Sequence, residues 1–331
     1  MFEGVSLVPR SITSGEGVRM NIREHINPGF QKRKKAYDRL ASTIFMICGF
    51  ISAIMIVLIV FFVGQKGIQV FLPGYAERQN FWDFITGTSW RPEAGIFGAG
   101  FIIINTLISA LGAAVLAFPI SVLSALFIVK VAPKQLRDAF TTVVELLAAI
   151  PSVVYGVFAA GALTDLVNNV AVSLGTTTRG GLSMLTVIML LAIMVYPTMT
   201  SLAIAAIRAV PEPLELGSLA LGASRTQTNF KVVLSAAKSG IFAGLVLGLG
   251  RAFGEATAVS MVAGNAMIGP TWNPFDITRT LTSTMLTGMH ETTGVGYDIR
   301  FSVGIVLMII IILTNWLIHR VRRKIGGIGN D

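Results

Sequence analysis

The chain has 331 residues, 53% of them hydrophobic and 13% charged, with a mean hydropathy of +0.73. Soluble domains carry about 25% charged residues, so a surface this apolar needs a bilayer to solvate it. The net charge of +9 does not read as a nucleic-acid surface, because most of it flanks apolar runs. The single cysteine, Cys48, allows no intrachain disulfide. His25, His290 and His319 are far apart, with no metal-ligand neighbour at useful spacing, so neither a metal nor a cofactor is expected.

Residues 1–40 form a polar, basic arm ending near Lys32-Arg33-Lys34-Lys35. It reads as a cytoplasmic segment that stops translocation and meets membrane lipid; a specific lipid or nucleic-acid site is the sharper alternative. A membrane-spanning helix needs roughly 20 apolar residues. The apolar runs predict spans over 41–63, 98–129, 139–158, 183–207, 239–262 and 301–318, with a loop at 64–97 and a tail at 320–331. The expectation is an all-α, six-span protein with a core over 98–319. Nineteen of the 26 Lys and Arg fall on the face holding the arm, 130–137, 208–238 and the tail. The positive-inside rule places that face, and both termini, in the cytoplasm.

Pro119, Pro151 and Pro197 fall within predicted spans. They read as kinks, or as breaks that line a path. The segment 208–238 reads as a helix–turn–helix hairpin. Pro211, Glu212 and Glu215 suit a first turn, Gly222 suits a left-handed helix end, and Ser224 with Gln227 has capping-box spacing. Tethered to spans at both ends, it cannot easily read DNA. A structural elbow or a docking element for a cytoplasmic partner remains, and the docking element is preferred. Gly240, Gly244 and Gly248 recur every four residues, as do Gly250 and Gly254, which suits close helix packing or room beside Arg251. Arg251 and Glu255, four apart in an apolar run, are expected on one helix face. An internal ion pair and an anion site are the two readings of that pair.

Ala220-Leu-Gly222-Ala-Ser-Arg225-Thr-Gln227, with a nine-residue spacer between the glycine and Val232-x-Leu234, resembles the coupling loop of ABC-importer permeases. It departs at Leu216, where that family has Glu (Glu215 is one residue early), and at Ser235, where it has Pro. Glu145-Leu-Leu-Ala-Ala-Ile-Pro151-Ser152-Val-Val-Tyr155-Gly resembles the third-span signature of phosphate permeases. Gly248-Leu-Gly-Arg251-Ala-Phe-Gly254-Glu255, continuing to Val262-Ala-Gly-Asn265, resembles their fifth span, in the version of the PstC-type subunit.

The resemblance implies the MetI-like permease fold and inward transport of inorganic phosphate. It implies Arg251 and Glu255 on the substrate path, and Glu215, Gly222, Ala223, Arg225 and Phe230 coupling to an ATPase. The implied partners are a second, PstA-like permease, cytoplasmic ATPase subunits and an extracytoplasmic phosphate-binding protein. With no Gly-x4-Gly-Lys-Ser/Thr run, ATP hydrolysis is expected on a separate subunit. An importer of sulfate, molybdate or phosphonate is the nearest rival. A membrane-embedded enzyme would need a nucleophile, base or metal set that the spans lack. A secondary transporter would need two related halves, which are not seen.

Overall fold

The computed structural model describes residues 28–326, and side chains from 37 to 320. Most of the basic arm, with His25, and residues 327–331 lie outside the described residues, as do the side chains of Lys32–Lys35, Arg322, Arg323 and Lys324. The chain divides into two units, Met1–Ile59 and Val60–Asp331. The described part of the first is the start of one long helix, α1 (Pro28–Gln69). Its side chains from Tyr37 to Ile59 are exposed, and from Ala41 they carry no charge, as a lipid-facing helix requires.

The second unit continues from Val60. The short α2 (Phe81–Thr86) precedes an antiparallel pair of two-residue strands, β1 (Trp90–Arg91) and β2 (Ile96–Phe97), in which Trp90 faces Phe97. Next along the chain are α3 (Gly100–Leu126), α4 (Lys134–Ala149), α5 (Ser152–Phe158), α6 (Thr164–Ser173) and α7 (Met184–Arg208). After them come α8 (Glu212–Ala220), α9 (Arg225–Gln227), α10 (Leu234–Gly254), α11 (Thr257–Val262), α12 (Leu281–Leu286) and α13 (Val295–Gly326). Wide π-type turns at Phe127–Val131, Ala159–Leu163 and Thr228–Val233 extend α3, join α5 to α6 and join α9 to α10. Among the described residues six helical runs are long and apolar enough to cross a membrane: Tyr37–Gln69, Gly100–Val131, Ser152–Ser173, Met184–Arg208, Arg225–Gly254 and Val295–Arg320. The protein is an all-α, multi-pass membrane protein.

Four of the expected spans fall where the apolar runs put them, and two do not. The third begins at Ser152, where 139–158 was expected. The preceding α4 carries Lys134, Arg137, Asp138 and Glu145 in 16 residues and buries only Val144, so it is an amphipathic helix outside the span. Pro151 is the boundary between the two helices and lies inside neither. The fifth helix starts earlier and stops at Gly254; Glu255 is extended, with φ −75° and ψ 116°. Pro119 and Pro197 do lie inside α3 and α7.

The core is built on α3, α7 and α10. Ala110, Ala113, Ala114 and Ala117 give α3 a small-residue face, buried in the same cluster as Leu190, Leu191 and Met194 of α7. Gly240, Gly244 and Gly248 do the same for α10. An added Cβ at Gly240 would lie 2.5 Å from the Ala206 Cβ, and at Gly248 2.7 Å from the Met199 Cγ. In lipid the hydrophobic effect adds nothing between helices, so close packing of this kind holds them together. Gly250 and Gly254 instead meet open space.

Three loop segments are joined at one end of this unit. Trp90 N–H donates to the Met267 carbonyl (2.8 Å) and Gly269 N–H to the Thr88 carbonyl (3.0 Å). A cavity of about 930 Å³ is lined by Thr178 and Arg179 together with Asn265, Trp272 and Asp276. Asp298 of α13 accepts from Gln69 Nε2 (2.8 Å), Tyr75 OH (2.8 Å) and Lys66 Nζ (3.4 Å). Burial and that bond push the Tyr75 hydroxyl up to about 12, so it stays a donor.

The two glycine faces differ in a measurable way. Gly240→Val is expected to lower the stability of the detergent-solubilised protein by about 1–3 kcal/mol through overpacking. Gly250→Ala should leave it unchanged or raise it by about 0.5–1 kcal/mol, because alanine is the better helix former. Thermal unfolding of the two purified variants checks the contrast.

Candidate functional site

The end of α10 carries the expected path residues. Arg251 is half-buried in the last turn, and its Nη1 donates to Thr198 Oγ1 (3.1 Å), beside Pro197 in α7. Among the described residues this is the only side-chain hydrogen bond it makes, so most of the guanidinium fork has no protein acceptor. Glu255 does not share its helix face. The chain leaves the helix after Gly254, and the Glu255 carboxylate turns forward to accept the Ala258 N–H (3.1 Å) in the first turn of α11. The Glu255 carbonyl, freed by the break, accepts the Thr282 hydroxyl (2.7 Å). Among the described residues Arg251 and Glu255 form no ion pair. The expectation that the i, i+4 spacing sets them on one helix face fails because it assumed an unbroken helix.

Beyond the break and α11, Gly264 and Asn265 are both left-handed, at φ 72° and 50°. Their turn is held by Arg279, whose Nε donates to the Ala266 carbonyl (2.7 Å) and Nη2 to the Asn265 carbonyl (2.8 Å). Burial, and then the neighbouring Arg300, pulls the Arg279 guanidinium down to about 10, still charged at neutral pH. Arg300 donates Nη1 to the Thr284 and Thr287 carbonyls and Nε to the Gly296 carbonyl. Sequence reasoning missed both arginines. For Arg279 the available signal was a cation set in the hydroxyl-rich run 278–284.

The third-span signature lands against the fifth. Pro151 has no N–H to give the Leu147 carbonyl four residues back. Tyr155 supplies a donor instead, its hydroxyl bonding that carbonyl at 2.8 Å. Ser152 opens α5, and Gly156 is pressed against α11, where an added Cβ would sit 3.0 Å from the Ala258 Cα. Glu145 is exposed on α4, away from this contact. Two signatures a hundred residues apart thus meet where α11 succeeds the Glu255 break.

At the other end of the unit, 208–238 forms the expected hairpin. Gly222 has φ 84°. Its N–H bonds the Leu219 carbonyl and the Ala223 N–H bonds the Ser218 carbonyl, the paired bonds of a left-handed helix stop. Ser224 and Gln227 form the capping box. Arg225 and Phe230 are exposed and Ala223 half-buried. Glu215 is not turned outward; its carboxylate pairs with Lys130 Nζ, just past α3. Leu216, in the position of the expected acid, is 56% exposed, and Leu221 at the turn is 92% exposed.

Six apolar spans, a helix broken beside a half-buried arginine, and a polar-capped hairpin define a membrane permease rather than an enzyme. Residues 117–327 match the family described as binding-protein-dependent transport system inner membrane component. The chain belongs to that family. It is 35% identical over 319 residues to a probable ABC transporter permease protein of Bacillus subtilis, YqgH, covering 92% of this chain and 98% of the relative. It is 31% identical to the phosphate transport system permease protein PstC of Xylella fastidiosa, covering 74% and 81%. The same fold occurs in a bacterial alginate ABC transporter in complex with an alginate-bound periplasmic protein, with TM-score 0.59 at 20% identity over 87% of this chain and 97% of that one. As an ABC-importer permease, the chain works with separate ATPase and substrate-binding subunits.

The hairpin turn gives a direct check. An added Cβ at Gly222 meets nothing within 4 Å, so only the positive φ restricts the position. Gly222→Ala should destabilise the turn by about 1–2 kcal/mol and Gly222→Asn by less. Faster hydrogen exchange at the 222 and 223 amides, larger in the Ala variant, is the expected readout.

Proposed function

We propose that the chain is one permease subunit, of the PstC type, in an ATP-driven importer of inorganic phosphate. The observation that carries the reading is the arginine at the α10 break. Its fork is oriented by one hydroxyl and otherwise open, next to the meeting point of the two segments that resemble phosphate permeases. Relatives named for phosphate transport, 30–33% identical over more than two thirds of the chain, support the substrate.

A guanidinium stays charged and presents donors in a fork that matches the oxygens of phosphate. Open space at Gly250 and Gly254 leaves room for an anion, and for the matching surface of a second, PstA-like permease. Glu255, which caps α11, keeps the break in shape and adds negative charge to the path, so that phosphate is released rather than trapped. The exposed Leu216, Leu219, Leu221 and Phe230 suit docking of an ATPase. The loop cluster around Trp90 and Trp272 suits docking of a phosphate-binding protein. The charge asymmetry supports both termini and the hairpin lying in the cytoplasm of a bacterial cell.

Uptake of radiolabelled phosphate by the reconstituted complex tests the reading. Arg251→Gln should reduce uptake at least about a hundredfold, in the range seen when an electrostatic partner for a charged group is removed, while the complex still assembles. Arg251→Lys should recover little, because the fork is lost. Adding Glu255→Gln should not rescue Arg251→Gln, since the two are not paired. Rescue would restore the ion-pair reading, and unimpaired phosphate uptake by Arg251→Gln would remove Arg251 from the path. Sulfate or molybdate transport in place of phosphate would overturn the substrate.

A further inference from the structure

Helix α8 carries three exposed leucines, Leu214, Leu216 and Leu219, and none of its own residues is buried. Core packing therefore does not fix its direction. Polar ties do. At its C-terminal end the left-handed stop at Gly222 and the contact between the Ser218 and Thr228 hydroxyls (2.9 Å) join it to the turn that leads into α10. Near its N-terminal end the tie is Glu215 to Lys130, and it runs to a different helix. Lys130 lies in the wide turn Phe127–Val131 that ends the α3 span. The two side chains are 19% and 20% exposed, so the pair is largely withdrawn from water. Removing one partner would leave the other charge poorly solvated.

We propose that Lys130 and Glu215 form a strut that carries movement of the hairpin into α3, and that both are positioning residues for coupling rather than contacts to the ATPase. The proposal rests on reading 208–238 as the docking hairpin. A push on the exposed leucines of α8 reaches α10 through the chain itself. It reaches α3 through this ion pair. Helix α3 shares the core cluster with α7, which holds Thr198 against Arg251, so a load delivered to α3 bears on the packing around the path. The pair also accounts for the displaced acid. A glutamate one position earlier on α8 points to a different side of the helix, here toward Lys130, and leaves Leu216 outward.

The test uses the complete complex in proteoliposomes, read as inorganic phosphate taken up per ATP hydrolysed, with ATPase co-purification measured separately. Lys130→Glu and Glu215→Lys alone should each lower that ratio about tenfold, within the span of ordinary coupling free energies. Together they should return it to within about twofold of the parent, the margin for a reversed but intact pair. An unchanged ratio in Lys130→Gln, or no recovery in an assembled double swap, overturns the strut. A swapped pair can fail to assemble, so a second arm cross-links Lys130→Cys to Glu215→Cys with a cleavable thiol reagent in a Cys48→Ser background. Coupled uptake that survives the cross-link and falls when it is cleaved supports the strut. Uptake stopped by the cross-link while ATP is still hydrolysed contradicts it. Unchanged ATPase co-purification in Leu221→Asp would count against the docking reading and not against the strut. If the parent complex takes up no phosphate, binding-protein-stimulated over basal ATP hydrolysis carries the same comparisons.

Discussion

A backbone carbonyl withdrawn from water is costly without a donor, and the breaks of this chain at Pro151 and at the end of α10 are shaped by that demand. At Pro151 the lost amide donor is replaced by the Tyr155 hydroxyl on the Leu147 carbonyl. At the end of α10 the Glu255 carbonyl takes the Thr282 hydroxyl, and the Glu255 carboxylate serves the amide of Ala258. Thr282, in the Thr- and Ser-rich run from Thr278 to Thr284, thus helps a membrane helix to stop.

That permission to stop produces the site. An unbroken α10 would set Glu255 on the face of Arg251, within reach of an internal ion pair. The break sends the carboxylate to α11 and leaves the arginine held by a single neutral hydroxyl. A charge in this setting is costly unless something compensates it, and a transient anion is the compensation proposed for it. The glycines divide accordingly. Three are consumed in packing α10 on α7, and two are left facing open space beside the arginine.

Much of this was legible in the sequence, for identifiable reasons. Spans without internal breaks, such as 183–207, announce themselves by hydropathy alone. The hairpin was readable because caps are local: Gly222, Ser224 and Gln227 act within a few residues of themselves. The third span was misplaced because a proline inside an apolar window looks the same whether it kinks a span or begins one. Only the four charges of α4 spread over 16 residues distinguish the cases. The break at Gly254 carries no proline and depends on Thr282, nearly thirty residues on, so no local pattern reveals it. Arg279 and Arg300 bond backbone carbonyls, and Glu215 bonds a lysine 85 positions away; partnerships of that kind are set by the tertiary fold.

The central claim is that the face of α10 bearing Gly250 and Gly254, beside Arg251, lines a watery anion path while the face bearing Gly244 and Gly248 is sealed by α7. Cysteine accessibility tests it most directly, with Gly250→Cys, Gly254→Cys, Gly244→Cys and Gly248→Cys made one at a time in a Cys48→Ser background and the complex assembled. A membrane-impermeant thiol reagent should modify the first two, and phosphate should slow the reaction. The other two should show little or no modification. Reaction at Gly244→Cys and Gly248→Cys with none at Gly250→Cys and Gly254→Cys, or no reaction at any of them, would contradict the claim.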